Sequence, residues 1–493
     1  MKSISLKRGI ISTTNYHATN AAYKILKKSG NAIDAAIAAS SVLAVTSQHQ
    51  CGLGGDLFAM IFKNGEVTAL NSSGFSGSKL QEYSKELSKN KIKTFKDPRL
   101  ITIPGAVDGW LELHKRYGTK RISEIFKDAI ELANDGFECD QSLFSAIENS
   151  RKSFFDNPLN QIIKINQIVR RTKIANQLEQ IKKFGRKGFY QGLFGEELVS
   201  LTKGSISKSD LANSQSEWVK PISEVFFGQK FWTIPPNSQS FLILQVLKKI
   251  KDKYPKLEFD NLDSLQLKIC SAMLDLGHSR DKYLSNFFNL KGSNTNYLCI
   301  VDQFGMGISL VQSNAHGFGS QIVLDKSGVF LHNRGLGFIN NQSEFHPKNH
   351  SKPPSTLCPL LVTKENKLEM LTGTMGADSQ PQIILQNWLN YQFTCDVEQA
   401  LKMPRWIIAG NEKQNLFPFN TWKGSKNYLN FFYEKGISKN LLINLKKIHN
   451  INVKLKIKSP NLFGHCQMIV ANKNNKYSGF HDPRSITGLT KGF

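Results

Sequence analysis

The stretch Ser293–Gly319, SNTNYLCIVDQFGMGISLVQSNAHGFG, restricts the fold more than any other part of the chain. Apolar and β-branched residues flank a glycine-containing break. This predicts a strand over Tyr297–Asp302, a turn at Gln303-Phe304-Gly305 and a returning strand over Met306–Gln312. Thr295 stands just ahead of the first strand. A hydroxyl at the head of an inner strand suits a chain that cuts itself before the threonine and then uses the freed α-amine as its base. A threonine hydroxyl is a weak nucleophile and needs an adjacent base. An α-amine with a reference pKa of about 7.7–8.0 can serve. A hairpin led by a threonine is as a rule only a hairpin, so the reading gains weight only from the rest of the chain.

At 493 residues the chain has room for two to four domains, or for one large domain with insertions. Hydrophobic residues make up 40% and charged residues 21%, the balance of a globular protein rather than a disordered one. No apolar run reaches membrane-spanning length. Ala32–Val45 is Ala-rich and short, which predicts a buried helix. The N-terminal MKSISLKRGIISTTNYHATNAA lacks the continuous apolar core of a signal peptide, so a cytoplasmic location is expected. The seven cysteines (51, 139, 270, 299, 358, 395 and 466) are odd in number and without CxxC spacing. This points to reduced thiols and away from a metal cluster or disulfide framework. The net charge of +25 is spread along the chain with no basic block interleaved with aromatics, so neither specific nucleic-acid binding nor membrane binding is expected.

Helices are predicted near 18–29, 32–45 and 380–391, with two more inside 103–136. Strands are predicted at 57–63, 66–70, 297–302, 306–312, 359–363, 367–372 and 466–471. Residues from about 140 to 290 read as mostly helical, broken at Pro235-Pro236-Asn237-Ser238. Helices and strands that must stack imply layered α/β packing. GLGGD at 52–56 lacks the ending of a phosphate loop and reads as a tight turn near a site. Gly373–Asp378 lies between a strand and a helix. Backbone N–H groups there can stabilise an oxyanion, or the segment is a plain turn capped by Asp378 or Ser379. His49, His316 and His332 show no metal spacing, and no metal or cofactor is expected.

Six segments, taken in order, resemble the γ-glutamyltranspeptidase family of N-terminal-nucleophile hydrolases. They are GNAIDAAIAASSVLAVTSQHQCGLGGDLF (30–58), ITIPGAVDGWLELHKRYG (101–118), the Thr295 region, GVFLHNRGLGF, PPSTLCP and GTMGADSQPQ. The resemblance spans nearly the whole chain. It implies a four-layer αββα sandwich with a helical insertion, cut between Asn294 and Thr295 into a large chain, 1–294, and a small chain, 295–493. The two would stay together as one structural domain, and a dimer of that processed unit is left open. By the same resemblance Thr295 is the nucleophile, Ser313 the assisting hydroxyl, and Gly376 and Ala377 the oxyanion N–H donors. Ser355 and Thr356 match a hydroxyl pair that holds a substrate carboxylate. The implied activity is that of a glutathione hydrolase or γ-glutamyltransferase. It passes an acyl group from a small-molecule amide through Thr295 to water or an amine acceptor.

The departures from the family pattern bear on specificity. Phe75 stands where well-known members carry an arginine for the glutamyl α-carboxylate. In Asn333-Arg334-Gly335-Leu336-Gly337, Gly337 stands where they carry an acid for the α-ammonium. Ala315 replaces an asparagine. Each lost charged anchor forfeits about 1.5–3 kcal/mol. Arg334 offers a carboxylate contact from a new direction, with a structural role as its alternative. The loop 339–354 is shorter than the usual lid. Three readings follow: a γ-glutamyl amide enzyme, an acylase for a non-glutamyl (glutaryl-type) amide, and a catalytically silent binding protein.

Overall fold

The computed structural model describes residues 4–86, 92, 94, 96–150, 164–259, 261–284, 295–339, 346–410, 429–449, 451–456, 460–472 and 476–493. Every residue of the helix Ala32–Thr46 is buried. Small side chains on all sides let it pack against both the helix Tyr16–Lys27 and the sheet beneath. Asn31 and Asp34 close its first turn as a reciprocal capping box, which satisfies donors that a buried helix end would otherwise leave unpaired.

That sheet has seven strands. In order they are β19 (Leu489–Gly492), β2 (Ile10–Thr13), β10 (Thr295–Val301), β11 (Gly307–Ser313), β3 (Asp56–Lys63), β4 (Glu66–Ser72) and β7 (Glu217–Val219). The second sheet is also seven-stranded: β1 (Ile4–Lys7), β18 (Tyr477–His481), β17 (Cys466–Ala471), β13 (Lys367–Thr374), β12 (Leu360–Lys364), β9 (Gln229–Thr233) and β8 (Ile222–Phe226). A two-stranded ribbon, β5 (Phe137–Glu138) with β6 (Ile168–Val169), and a small sheet of β14 (Trp406–Gly410), β15 (Leu429–Tyr433) and β16 (Asn452–Leu455) lie outside the sandwich.

Three cores set the layers. Phe58, Met60, Tyr297, Cys299, Val311, Leu371 and Ile469 fill the space between the sheets. Helices including Tyr16–Lys27, Ala32–Thr46, Ala106–Tyr117 and Thr172–Phe184 cover the first sheet. Phe241–Lys253, Leu262–Leu284, Gln380–Thr394 and Lys439–His449 cover the second. The result is the expected αββα sandwich. The span 140–290 is not purely helical: β7, β8 and β9 come from it and supply edge strands to both sheets. In β9 buried and half-exposed positions alternate, the pattern of a strand with one wet face, while the edge strand β8 alternates half-exposed and exposed positions before its buried last residue. The helices around 172–212, in the expected helical insertion of the large-chain region, pack into the outer layer of the first sheet.

Candidate active site

β10 and β11 pair from Thr295↔Ser313 to Val301↔Gly307, and β11 continues the row to β3 with Ser313↔Asp56. The register therefore lines up a hydroxyl, a hydroxyl and a carboxylate across three adjacent strand ends. Tyr297 and Val311 point into the inter-sheet core, so by strand alternation Thr295 and Ser313 face the same slot at its open end. Thr295 Oγ1 lies 3.1 Å from Ser313 Oγ, and both residues are buried. The Ala315 amide donates to Ser313 Oγ at 2.9 Å from a residue in the left-handed region (φ 70°), which fixes the serine hydroxyl. Asn294 lies outside the described residues.

The glycine turn before β3 explains how the row is held. An added Cβ at Gly54 would sit 2.0 Å from the Phe330 carbonyl oxygen, and one at Gly55 would sit 2.5 Å from that of Ser313. Only bare backbone fits there. The bridge Gly54↔Leu331 and the His332 N–H bond to Gly54 O lay residues 331–334 alongside 54–56. Arg334 consequently meets Asp56: Nε donates to Oδ2 at 2.6 Å and Nη2 to Oδ1 at 3.1 Å, in a pair that is almost completely buried. Of the two roles expected of Arg334, a carboxylate contact and a structural one, this pair is of the structural kind. The partner carboxylate belongs to the protein, and Arg334 positions Asp56 beside Ser313.

Met375 follows β13, and its N–H reaches His465 O at 3.4 Å. Gly376 (φ 145°) and Ala377 (φ 44°) then turn the chain into the helix Gln380–Thr394. Among the described residues neither Gly376 N–H nor Ala377 N–H donates to a protein acceptor. Such free N–H groups can receive a developing oxyanion. Ala377 occupies a conformation that glycine adopts at lower cost. Ser355 and Thr356 are buried on the neighbouring segment, where Ser355 bridges Ser238. Sequence reasoning missed Gln239. Its Nε2 donates to Thr356 O at 3.0 Å and to Ala377 O at 2.9 Å, tying the hydroxyl pair to the Gly376-Ala377 turn. The only signal was the Pro-Pro break just before it.

The remaining expected contacts are arranged as follows. Phe75 is half-buried, and the Lys352 ammonium lies 4.5 Å from its ring centre. Lys352 donates to Asn71 O at 3.0 Å and Gln215 O at 2.8 Å. Burial pushes it down to about 8, with Glu217 opposing. Asn333 is fully buried. Its Oδ1 accepts from His316 N–H at 3.2 Å, and its Nδ2 has no partner among the described residues. Gly337 packs so close to Pro354 that an added Cβ would sit 2.7 Å from the Pro354 carbonyl oxygen. Of the loop 339–354, residues 340–345 lie outside the described set.

A sequence profile described as Gamma-glutamyltranspeptidase matches residues 18–285 and 262–491. The chain belongs to the γ-glutamyltranspeptidase family. Among its relatives is the glutathione hydrolase-like YwrD proenzyme of Bacillus subtilis, 28% identical over 463 residues, covering 82% of this chain and 86% of that protein. Another is the oxamate amidohydrolase proenzyme of Klebsiella pneumoniae, 25% identical and covering 98% of each chain. The cephalosporin acylase structure from Bacillus halodurans matches with a TM-score of 0.83 at 26% identity, over 100% of this chain and 97% of that one. Proteins named as hydrolases and as an acylase are thus similar to this chain over most of its length. Among the described residues no helix is long and apolar enough to cross a membrane.

Proposed function

We propose that this family member is a self-processing amidohydrolase and acyltransferase that works through an acyl-enzyme on Thr295. The observation that carries the reading is Thr295 at the head of β10 with Ser313 Oγ at 3.1 Å. Cleavage after Asn294 frees the α-amine of Thr295, which takes the hydroxyl proton as Oγ attacks the substrate carbonyl. Gly376 and Ala377 N–H receive the oxyanion. The protonated amine passes its proton to the leaving nitrogen. Water or an amine then takes the acyl group. Oxyanion donors of this kind contribute about 2.7–4 kcal/mol each.

A γ-glutamyl-type amide is the donor class the family suggests. A second reading is favoured by Arg334 bound to Asp56 and by Phe75 beside a lysine already engaged with two carbonyls: the acyl pocket accepts a non-glutamyl amide, with Asn333 Nδ2 as a hydrogen-bond donor to the acyl group. Processed enzyme assayed on matched γ-glutamyl, glutaryl and neutral acyl anilides separates them. A kcat/KM for γ-glutamyl anilide at least tenfold above the others supports the glutamyl reading. The reverse order supports the acylase reading. No turnover of any anilide by protein with a Thr295 N-terminus would overturn both. The expected setting is cytoplasmic, with the large and small chains as each other's partners.

A further inference from the structure

The self-processing reading leaves one proton without an acceptor. Before the chain is cut, the nitrogen of Thr295 is a peptide N–H and cannot act as base. Another group must take the hydroxyl proton when Thr295 Oγ attacks the preceding carbonyl.

The second sheet presents such a group. β13 and β17 pair as Leu371↔Ile469, Gly373↔Gln467 and Thr374↔Cys466, and the Met375 N–H bond to His465 O extends the ladder by one step. Leu371 and Ile469 belong to the inter-sheet core, so alternation points Gln467 and His465 into the same slot. The Tyr297 ring packs on Gly373, where an added Cβ would sit 2.4 Å from it. Two residues further toward the open end, β10 reaches Thr295 and the opposing strand reaches Met375, beside His465. β10 packs on both β13 and β17. Sheets face one another at about 10 Å, which one side chain from each can span directly or through a single water. His465 is buried, and its Nε2 has no hydrogen-bond partner among the described residues. Gln467, one step deeper, is fully buried with both amide atoms likewise unpartnered. Leaving a buried polar atom unpaired costs about 1–3 kcal/mol, so a hydroxyl donor within reach of His465 Nε2 would be favoured there.

We propose that His465 Nε2 is the proton carrier for chain cleavage at Asn294–Thr295. With its own proton on Nδ1, the imidazole takes the Thr295 hydroxyl proton as Oγ bonds to the Asn294 carbonyl carbon. The C–N bond between the two residues breaks, and the imidazolium returns the proton to the leaving nitrogen, which becomes the α-amine. Water then hydrolyses the resulting ester and releases the Asn294 carboxylate. Burial pushes His465 down to about 4 against the pull of Asp482, with Arg405, Arg484 and the nearby His49 also facing it. It is therefore uncharged at neutral pH, with one ring nitrogen unprotonated.

The test is cleavage of freshly translated full-length chain, followed by denaturing mass spectrometry, for wild type, Thr295→Ala, His465→Gln and His465→Ala. Losing a positioned proton carrier slows a step about 10²–10⁴-fold. Both His465 variants should therefore be cut at least 100-fold more slowly. Added imidazole should restore cutting of His465→Ala in proportion to its concentration, which a misfolded chain would not show. Wild-type rates in His465→Gln, or a slow His465→Ala that imidazole leaves unchanged, would overturn the proposal. A wild-type chain that stays whole would overturn it together with the self-processing reading. A cut wild type with normally cut His465 variants would overturn the His465 role alone.

Discussion

Replacing Arg334 by methionine tests how the row of Thr295, Ser313 and Asp56 is held. The guanidinium and the Asp56 carboxylate are 2% and 0% exposed and share two hydrogen bonds, so removing one partner leaves a carboxylate buried without its counter-charge. Breaking a buried pair from one side costs about 3–5 kcal/mol, whereas replacing both partners by groups of similar volume is often close to neutral. Arg334→Met alone should therefore lower unfolding stability by about 3–5 kcal/mol. The double variant Asp56→Asn, Arg334→Met should recover at least about 2 kcal/mol of that loss. The assay is urea unfolding of all four members of the cycle on chains carrying Thr295→Ala, which keeps processing from complicating the comparison. KM is measured on the same pair of substitutions in processed enzyme. A single variant that loses less than 1 kcal/mol, or a double variant no more stable than the single, would refute the buried-pair argument. A double variant of native stability with a KM raised tenfold or more for every acidic acyl donor would return Arg334 to the role of substrate anchor.

Other consequences follow from the same geometry. Ala377→Gly relaxes a left-handed alanine while keeping the N–H. It should stabilise the fold by up to about 1 kcal/mol and leave kcat within about threefold, as read by thermal melting and steady-state kinetics. Gly55→Ala puts a Cβ 2.5 Å from the Ser313 carbonyl oxygen and must shift the end of β11. A misplacement of about 1 Å can cost about 100-fold in rate, so activity should fall by that order, as read by steady-state kinetics. Burial lowers His49 to about 3 and His332 and His465 to about 4, so the unfolded chain binds protons that the native one does not between about pH 6.5 and 4. Stability from these groups is present above pH 6.5 and falls as the pH drops toward 4. A melting temperature that is flat across that window would contradict their buried, neutral state.

The hairpin was legible because alternation and the Gln303–Gly305 turn are local signals, and the observed strands differ from the reading by only one or two residues at each end. The buried helix 32–46 was legible from its run of small apolar residues. The Arg334–Asp56 pair was not, because its partners lie 278 positions apart and meet only through the Gly54–Leu331 bridge. Gln239 was invisible for the same reason: both its acceptors are backbone carbonyls on distant segments. Edge strands 217–233 were read as helical surroundings because one wet face makes their composition resemble a solvated helix. His465 lacked any spacing signal. Its interest comes only from the sheet register that faces it into the slot between the sheets.

The most direct test of the central claim is denaturing mass spectrometry of purified wild-type chain with sequencing of any new N-terminus. The account predicts two fragments, 1–294 and 295–493, the second beginning at Thr295, and an uncut chain for Thr295→Ala. A wild-type chain that remains whole on long incubation, or a Thr295→Ala variant that is cut and active, would contradict it.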